Sequence, residues 1–185
     1  LLALARTEPG APGADHAPLD LAEVVRSALA DTVPFAVSRG TSIELLAEAA
    51  VPARGDATAL AVLTRNLADN AVRYSPHGAH VQLRVFDDDG GVPVLQVDDA
   101  GPGIAAPERA RVFDRFYRQA SGDEAGSGLG LAIVRSVAER HGATVVLGDS
   151  PLGGLRVTVR FPGAARLPTL PGAAPAGTTL HQDTP

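Results

Sequence analysis

The chain has 185 residues and a formal net charge of −5 at pH 7, and this length suffices for one domain with its own core. It contains no Cys, which excludes disulfides, thiolate metal sites and thiol nucleophiles, and all sixteen basic residues are Arg. The acidic balance and the lack of a basic run argue against nucleic acid as a partner, and no signal peptide or membrane-spanning apolar stretch is visible.

The first half of the chain predicts the end of a helix, a linker rich in Gly, Pro and Ala, and then a helix, a strand and a longer helix. In chain order these segments are 1–6, 7–18, 21 to about 33, 41–47 and 57–74. Asp20 and Asp56 each stand where an N-cap would accept a backbone N–H group. Because the sequence contains no Met and does not begin with one, we expect it to be a fragment of a longer protein.

The second half predicts a hairpin, a glycine-rich connection into a helix, and a second pair of strands. The strands are 81–85, 92–97, 143–147 and 155–161; the first two flank a turn at 87–91, a short helix runs from 107 to about 113, and a glycine-rich stretch at 121–128 precedes the helix 129–141. Gly142 stands at the position that ends this last helix. Hairpin-linked strands pair antiparallel, so the order predicts an α+β fold with one mixed, mostly antiparallel sheet covered by helices on one face.

The stretch 99–104 follows a predicted strand and combines a carboxylate with two glycines. Side chains alternate along a strand, so Asp99 shares the face of Val97, where a buried carboxylate needs a partner. Gly101 and Gly103 permit a positive φ or the close approach of another group to the backbone. The combination suits a slot for a flat heterocycle with an exocyclic amine, although an Asp-Gly turn after a strand is also common without any ligand.

The second predicted helix presents Asn66, Asn70 and Arg73 at i, i+4 and i+7, which places two amides and a guanidinium along one face. Asn is a mediocre helix former, so two of them inside one helix require a reason. One interpretation is solvent exposure, with Asp69 and Arg73 as a surface ion pair. The other is that Asn70 supplies a neutral oxygen to a divalent cation whose remaining ligands are water and substrate phosphates.

The glycine-rich stretch 126–131 leads directly into the predicted helix 129–141. Backbone N–H groups of glycines, together with the positive end of a helix, form a phosphate cradle. Taken alone, such a stretch equally fits a flexible loop. It is not a P-loop, because Lys is absent and no strand precedes it directly.

Four segments, in the family's order and at its usual spacing, resemble the sequence boxes of sensor histidine kinases. They are 66–74 for the N box, 99–104 for the G1 box, 112–118 for the F box and 126–131 for the G2 box. The resemblance covers about residues 19–162 and implies a Bergerat-type two-layer α/β sandwich that binds ATP with Mg²⁺. It also implies that the start of 1–18 is the end of a dimerisation helix, followed by the linker. The composition of 163–185, rich in Pro, Ala, Gly and Thr, separately predicts a disordered tail.

The resemblance implies a role for each site residue. Asn66, Asn70 and Arg73 form the implied catalytic set: Asn70 coordinates Mg²⁺, and Arg73, where many members carry Lys, contacts phosphate. Asp99 accepts a hydrogen bond from the adenine amino group. The base slot and the phosphate lid are shaped by Tyr74, Gly101, Gly103, Ile104, Gly126, Ser127, Gly128, Leu129, Gly130 and Leu131. Arg118 contacts phosphate once the lid closes. The aromatic anchors of the lid are Phe113, Phe116 and Tyr117.

The phosphoacceptor that the resemblance requires is not in this sequence, because none of the five histidines lies in a His-Glu motif. It is therefore expected upstream, on a dimerisation domain of the same protein. The implied partners are that domain and the receiver domain of a response regulator. The fragment is expected to be a monomer of a homodimeric parent, and to lie in the cytoplasm whether or not the parent is anchored in the membrane.

Three functions remain open from the sequence. One is a kinase that transfers the γ-phosphoryl group of ATP to a histidine; the others are an ATP-hydrolysing clamp of the gyrase or Hsp90 type and a non-catalytic nucleotide-binding regulator. The ATPases of this superfamily carry a Glu as general base four residues before the Mg²⁺-binding Asn. Here that position is Asn66, which cannot accept a proton at neutral pH, so the sequence favours phosphoryl transfer over hydrolysis.

Overall fold

Within residues 16–47, 50–114 and 128–163, which the computed structural model describes, the chain forms seven strands and four α-helices. In chain order these are β1 (Ala17–Asp20), α1 (Leu21–Ala30), α2 (Val33–Ser38), β2 (Ser42–Ala47), β3 (Pro52–Gly55), α3 (Ala57–Tyr74), β4 (His80–Asp87), β5 (Pro93–Asp98), α4 (Gly130–Arg140), β6 (Thr144–Asp149) and β7 (Leu155–Arg160). A 3₁₀ turn, Ala106–Glu108, follows β5.

Five of the strands form one sheet in the order β2-β4-β5-β7-β6. The β2–β4 pair is parallel, and the other three pairs are antiparallel. The predicted mixed, mostly antiparallel sheet is therefore confirmed. The strands β1 and β3 form a separate two-stranded antiparallel ribbon, with Ala17 opposite Gly55 and Asp20 opposite Pro52.

The hydrophobic core lies between the sheet and a layer of three helices. The helices α1 and α4 flank α3, and the three pack on β4, β5 and β6. The central strand β5 is buried along its whole length. The largest fully buried side chains come from both layers and include Leu21, Leu60, Leu63, Leu67, Leu83 and Leu95. This arrangement confirms the predicted two-layer sandwich with helices on one face of the sheet.

The helix α3 forms where the sequence predicts it. Asp56 is its N-cap, and its Oδ1 accepts hydrogen bonds from Thr58 N at 2.9 Å and Ala59 N at 3.2 Å. Two of the first free N–H groups of the helix are thereby satisfied. The apolar face is buried against the sheet, and the helix ends at Tyr74.

Three features of the local structure differ from the predictions. The helix predicted from 21 to about 33 ends at Ala30, and a second helix, α2, follows that was not predicted; between the two, Thr32 is buried and its Oγ1 donates to Asp69 Oδ1 at 3.0 Å. The short strands β1 and β3 were not predicted, since they contain Pro and are formed by pairing with each other; β1 includes two residues assigned to the linker. The helix predicted from Pro107 to Phe113 is only the 3₁₀ turn followed by further turns.

Among the described residues, none of the helices combines the length and the apolar character that a membrane span requires.

His141 fastens the end of α4 to the start of α3. Its ring is 4% exposed; Nδ1 donates to Val137 O at 2.8 Å, and Nε2 accepts from Asp56 N at 3.0 Å. The ring of His16 stacks on it with centroids 4.3 Å apart. Because Nε2 must accept, His141 is held as one neutral tautomer. Burial lowers the pKa of His141 and outweighs the hydrogen bond to Val137 O, which raises it; His16 and Arg140 lower the pKa further, and Asp56 raises it.

We predict that this histidine makes the domain less stable in mild acid. In the unfolded chain His141 takes up a proton below about pH 6.5, whereas the folded domain resists protonation, so the free energy of unfolding falls as the pH drops. The loss is at most about 1.4 kcal/mol per pH unit. Denaturant unfolding of His141→Gln between pH 7 and 5 should show a flatter pH dependence than the parent chain. The exposed His77→Gln is the control, and equal slopes for the parent and His141→Gln would contradict the prediction.

Candidate functional site

The carboxylate of Asp99 lies at the end of β5 and is fixed by backbone hydrogen bonds. It is 7% exposed, and its Oδ1 accepts hydrogen bonds from Gly101 N and Leu155 N, each at 2.9 Å. The Asp99 backbone N–H donates to Leu155 O at 3.0 Å, which fixes the residue against β7. Among the described residues nothing donates to Oδ2, so this oxygen is available to a donor from outside the chain.

The two adjacent carboxylates Asp98 and Asp99 have opposite electrostatic environments. Asp98 faces the other side of the sheet, where Arg156 donates to both of its oxygens at 2.8 and 3.0 Å. Asp99 has no cationic partner within the part of the chain that the structure describes, and burial raises its pKa against the opposing effect of its two N–H donors. A carboxylate held in this way gains from any further donor that reaches Oδ2.

The backbone after Asp99 packs directly on the end of α3. A Cβ atom placed on Gly101 would lie 2.7 Å from Tyr74 O, so only glycine fits there. Ala100 N donates to Ser75 Oγ at 3.2 Å and ties the loop to the helix end. Gly103 has a φ of +69°, a left-handed conformation that favours glycine. The two glycines predicted to shape a slot are therefore required by the backbone.

Gly154 is a site residue that the sequence analysis missed. It lies in the β6–β7 hairpin, and a Cβ atom there would lie 2.1 Å from Asp99 Oδ1 and 2.4 Å from Gly101 N. Its own N–H donates to Asp99 O at 3.2 Å. The hairpin can approach the carboxylate only because position 154 has no side chain. The one available signal was the Gly pair that precedes the last strand.

The predicted residues of the N box and the G2 box meet at the start of α4. A Cβ atom on Gly130 would lie 2.9 Å from Asn70 Nδ2 and 3.0 Å from Asn70 Oδ1, so the amide packs on the first residue of the helix. Leu129 is the N-cap and makes no side-chain capping bond, and Gly128 has a φ of +66°. The first N–H groups of an uncapped helix start are free to bind an anion.

The other predicted residues of α3 differ in their surroundings. Asn66 is half-buried, and its Nδ2 donates to Val62 O at 2.8 Å, one turn back in its own helix. Arg73 is half-buried, and its guanidinium carbon lies 5.3 Å from the centre of the Phe35 ring. The side chain of Tyr74 is open to solvent, at 47% exposure.

The remaining predicted site residues fall into two groups. Ile104 is half-buried and its carbonyl accepts from Arg109 Nε at 2.9 Å, while Leu131 packs partly buried against the core. The others lie outside the described residues: Arg118, Gly126 and Ser127, together with the expected lid anchors Phe116 and Tyr117.

The described residues thus form a site with two chemically different ends. At one end, Asp99 lies against the backbone of Gly101 and Gly154, and no described residue donates to its Oδ2, an arrangement that suits a flat ligand with an amine at its edge. At the other end, the Asn70 amide lies against the uncapped start of α4, one turn of α3 before Arg73. A neutral oxygen donor, free N–H groups and a guanidinium favour an anionic group and a hard cation.

Comparison with a protein family supports this interpretation. Residues 55–165 match the family described as histidine kinase-, DNA gyrase B- and HSP90-like ATPase. The signal transduction histidine-protein kinase/phosphatase MprB of Mycobacterium tuberculosis is 39% identical over 167 residues, which cover 85% of this chain. The chain spans only 32% of the length of that relative.

Three solved structures resemble the chain over four-fifths of its length. The mycobacterial sensor histidine kinase MprB superposes with a TM-score of 0.73 at 34% identity, covering 80% of this chain and 98% of that one. The ATP-binding domain of PrrB from Mycobacterium tuberculosis gives a TM-score of 0.65 at 31% identity and the same two coverages. Full-length ShkA in complex with AMPPNP gives a TM-score of 0.68 at 30% identity, covering 80% of this chain and 31% of ShkA.

Proposed function

Because this chain belongs to the family of histidine kinase-, DNA gyrase B- and HSP90-like ATPases, and within it to the ATP-binding domains of sensor histidine kinases, we propose that it binds ATP and donates the γ-phosphoryl group to a histidine. That histidine lies on another domain of the full-length protein. In the transfer, an imidazole nitrogen forms a bond to the γ-phosphorus while the bond to the bridging oxygen breaks and ADP leaves.

The fixed carboxylate of Asp99 is the observation that carries this proposal. Its Oδ1 is occupied by two backbone N–H donors, so Oδ2 alone is left for the exocyclic amine of adenine. Gly101 lets the loop pack on the end of α3, and our proposal includes Tyr74, which is exposed, and Ile104 as contacts of the base. The base is therefore read by one charged acceptor in a largely backbone-lined slot.

We predict that Asp99→Asn weakens ATP binding without unfolding the domain. The Asn Oδ1 can accept the same two N–H bonds, which turns its NH₂ group toward the adenine amine, so that two donors face each other. Affinity should fall by about 1–3 kcal/mol, which corresponds to about fivefold to 150-fold. The free energy of unfolding at pH 7 should not fall, since burial raises the pKa of the carboxylate and its charge is costly there. Calorimetry that finds equal ATP affinity would remove Asp99 from the site.

We place the triphosphate at the other end, against Asn70, Arg73 and the start of α4. The phosphates are attracted by the first backbone N–H groups of α4, which follow Leu129, and by the positive end of the helix dipole. Asn70 Oδ1 is a hard, neutral oxygen of the kind that Mg²⁺ accepts alongside water and phosphate, so the residues present fit a magnesium ion. Bound there, Mg²⁺ would offset the negative charge of the triphosphate.

We predict that Asn70→Ala abolishes most of the Mg²⁺ dependence of ATP binding. Titrating ATP with and without Mg²⁺ should show a clear difference in affinity for the parent chain and a much smaller one for the variant. Arg65→Gln is the control, because Arg65 is exposed on the same helix and pairs with Asp31. If Asn70→Ala keeps the full Mg²⁺ effect, Asn70 is not a metal ligand.

The choice between transfer and hydrolysis depends on Asn66. Its amide donates to the backbone of its own helix and has no basic atom, so it cannot take a proton from an attacking water. We therefore favour transfer to an imidazole, which needs no such base. The partners in this proposal are the upstream dimerisation domain, through which the full protein is a homodimer, and a response regulator receiver domain. Because the reaction consumes ATP, the proposal also assigns the ATP-binding domain to the cytoplasm.

We predict that the chain alone binds ATP but hydrolyses it very slowly, and that a separately added upstream domain becomes labelled on histidine. The measurement uses γ-labelled ATP with and without that domain, and Asp99→Asn should reduce the labelling in parallel with its loss of affinity. Rapid phosphate release without labelled histidine would favour the clamp-type ATPase. Binding with neither release nor transfer would favour the non-catalytic regulator.

A further inference from the structure

The short helix α2 and its C-cap residue, Arg39, contact the last turn of α3. The guanidinium carbon of Arg73 lies 5.3 Å from the centre of the Phe35 ring, on the middle of α2. Arg39, the C-cap of α2, donates through Nη2 to Arg73 O at 3.0 Å and to Ser75 O at 3.3 Å. One arginine of the proposed phosphate site is thus contacted at both its side chain and its backbone.

The contact with Arg39 satisfies groups that a helix leaves open. The last carbonyl groups of a helix have no partner within it and carry the negative end of the helix dipole. Arg39 supplies a positive donor to two of these carbonyls. The Oγ of the same Ser75 also accepts a hydrogen bond from Ala100 N, so the turn that Arg39 contacts also supports the loop after Asp99.

The contact with Phe35 restricts where the Arg73 side chain can point. A guanidinium over an aromatic face is attracted to the ring, and its planar group differs in shape and reach from the compact ammonium of Lys. Phe35 packs partly buried on the core and is therefore a fixed platform. Arg73 is half-buried beside it, three residues after Asn70.

We propose that Phe35 and Arg39 are positioning residues for Arg73, and that α2 holds this guanidinium ready to meet the phosphates of ATP. The inference rests on the proposed function, since it takes Arg73 to be a phosphate contact. Neither positioning residue touches the nucleotide itself. Their contribution is to reduce the side-chain freedom that Arg73 loses when it binds.

A double-mutant cycle on the intact chain tests the coupling between Phe35 and Arg73. The variants are Phe35→Leu, Arg73→Gln and the pair together, and the measured quantities are the affinities for ATP by calorimetry and for adenosine by NMR titration. Phe35→Leu should weaken ATP binding about three- to tenfold and leave adenosine binding unchanged. In the Arg73→Gln background, Phe35→Leu should have no further effect on ATP.

Matched variants separate positioning from general damage to the fold. Phe35→Tyr keeps the aromatic face and should restore ATP affinity, and Val37→Ala, at a position 71% exposed on the same helix, should change nothing. Arg39→Gln should weaken ATP more than adenosine, with Arg26→Gln, which removes an exposed ion pair, as its control. Thermal unfolding of each variant shows that the domain is folded at the temperature of the titration.

Each alternative outcome has a distinct meaning. A loss of ATP affinity in Phe35→Leu that persists in the Arg73→Gln background, or that extends equally to adenosine, would overturn the proposal. If Arg73→Gln binds ATP as tightly as the parent does, Arg73 is not a phosphate contact, and the proposed positioning role of Phe35 and Arg39 is overturned as well. In that case the Asp99→Asn titration and the transfer assay still decide the proposed function on their own.

Discussion

The site depends on a buried carboxylate that no cationic side chain pairs with in the described part of the chain. Asp99 is held by backbone N–H groups from its own loop and from the start of β7, and burial raises its pKa. This arrangement requires a strand that carries the residue into the core and a hairpin that reaches it without a side chain at position 154. The neighbouring Asp98, paired with Arg156 on the opposite face, shows what a carboxylate with a purely structural partner looks like in the same strand.

The last two turns of α3 join parts of the site that lie far apart in the sequence. Asn70 contacts the start of α4, Tyr74 contacts the loop after β5 through its carbonyl, and Ser75 binds the same loop through its hydroxyl. The helix α2 also contacts this helix end, so α2, α3, α4 and the loop after β5 all meet there. The N, G1 and G2 boxes, separate along the chain, therefore meet at one helix end within the described residues, so a small shift of that turn would move the proposed base and phosphate contacts together.

Much of the fold follows from local signals in the sequence, and the rest follows from pairing that those signals do not contain. The bounds of α3 and its cap at Asp56 were predictable from apolar spacing and capping chemistry. The ribbon of β1 and β3 was not, because two four-residue strands with Pro have no period and exist only by pairing across about thirty residues. Gly154 was missed for the same reason: position 154 cannot hold a side chain because Asp99, at the end of another strand, occupies that space.

The crowding at Gly154 has a consequence for how mutational maps of this domain should be interpreted. In a selection that reports only on folding, position 154 should accept glycine alone, whereas position 99 should also accept Asn, which keeps the two backbone hydrogen bonds. In a selection for the proposed phosphoryl transfer, both positions should be invariant. Subtracting one map from the other would therefore separate the residue that we propose contacts the ligand from the residue that leaves space beside it, although their atoms are in contact.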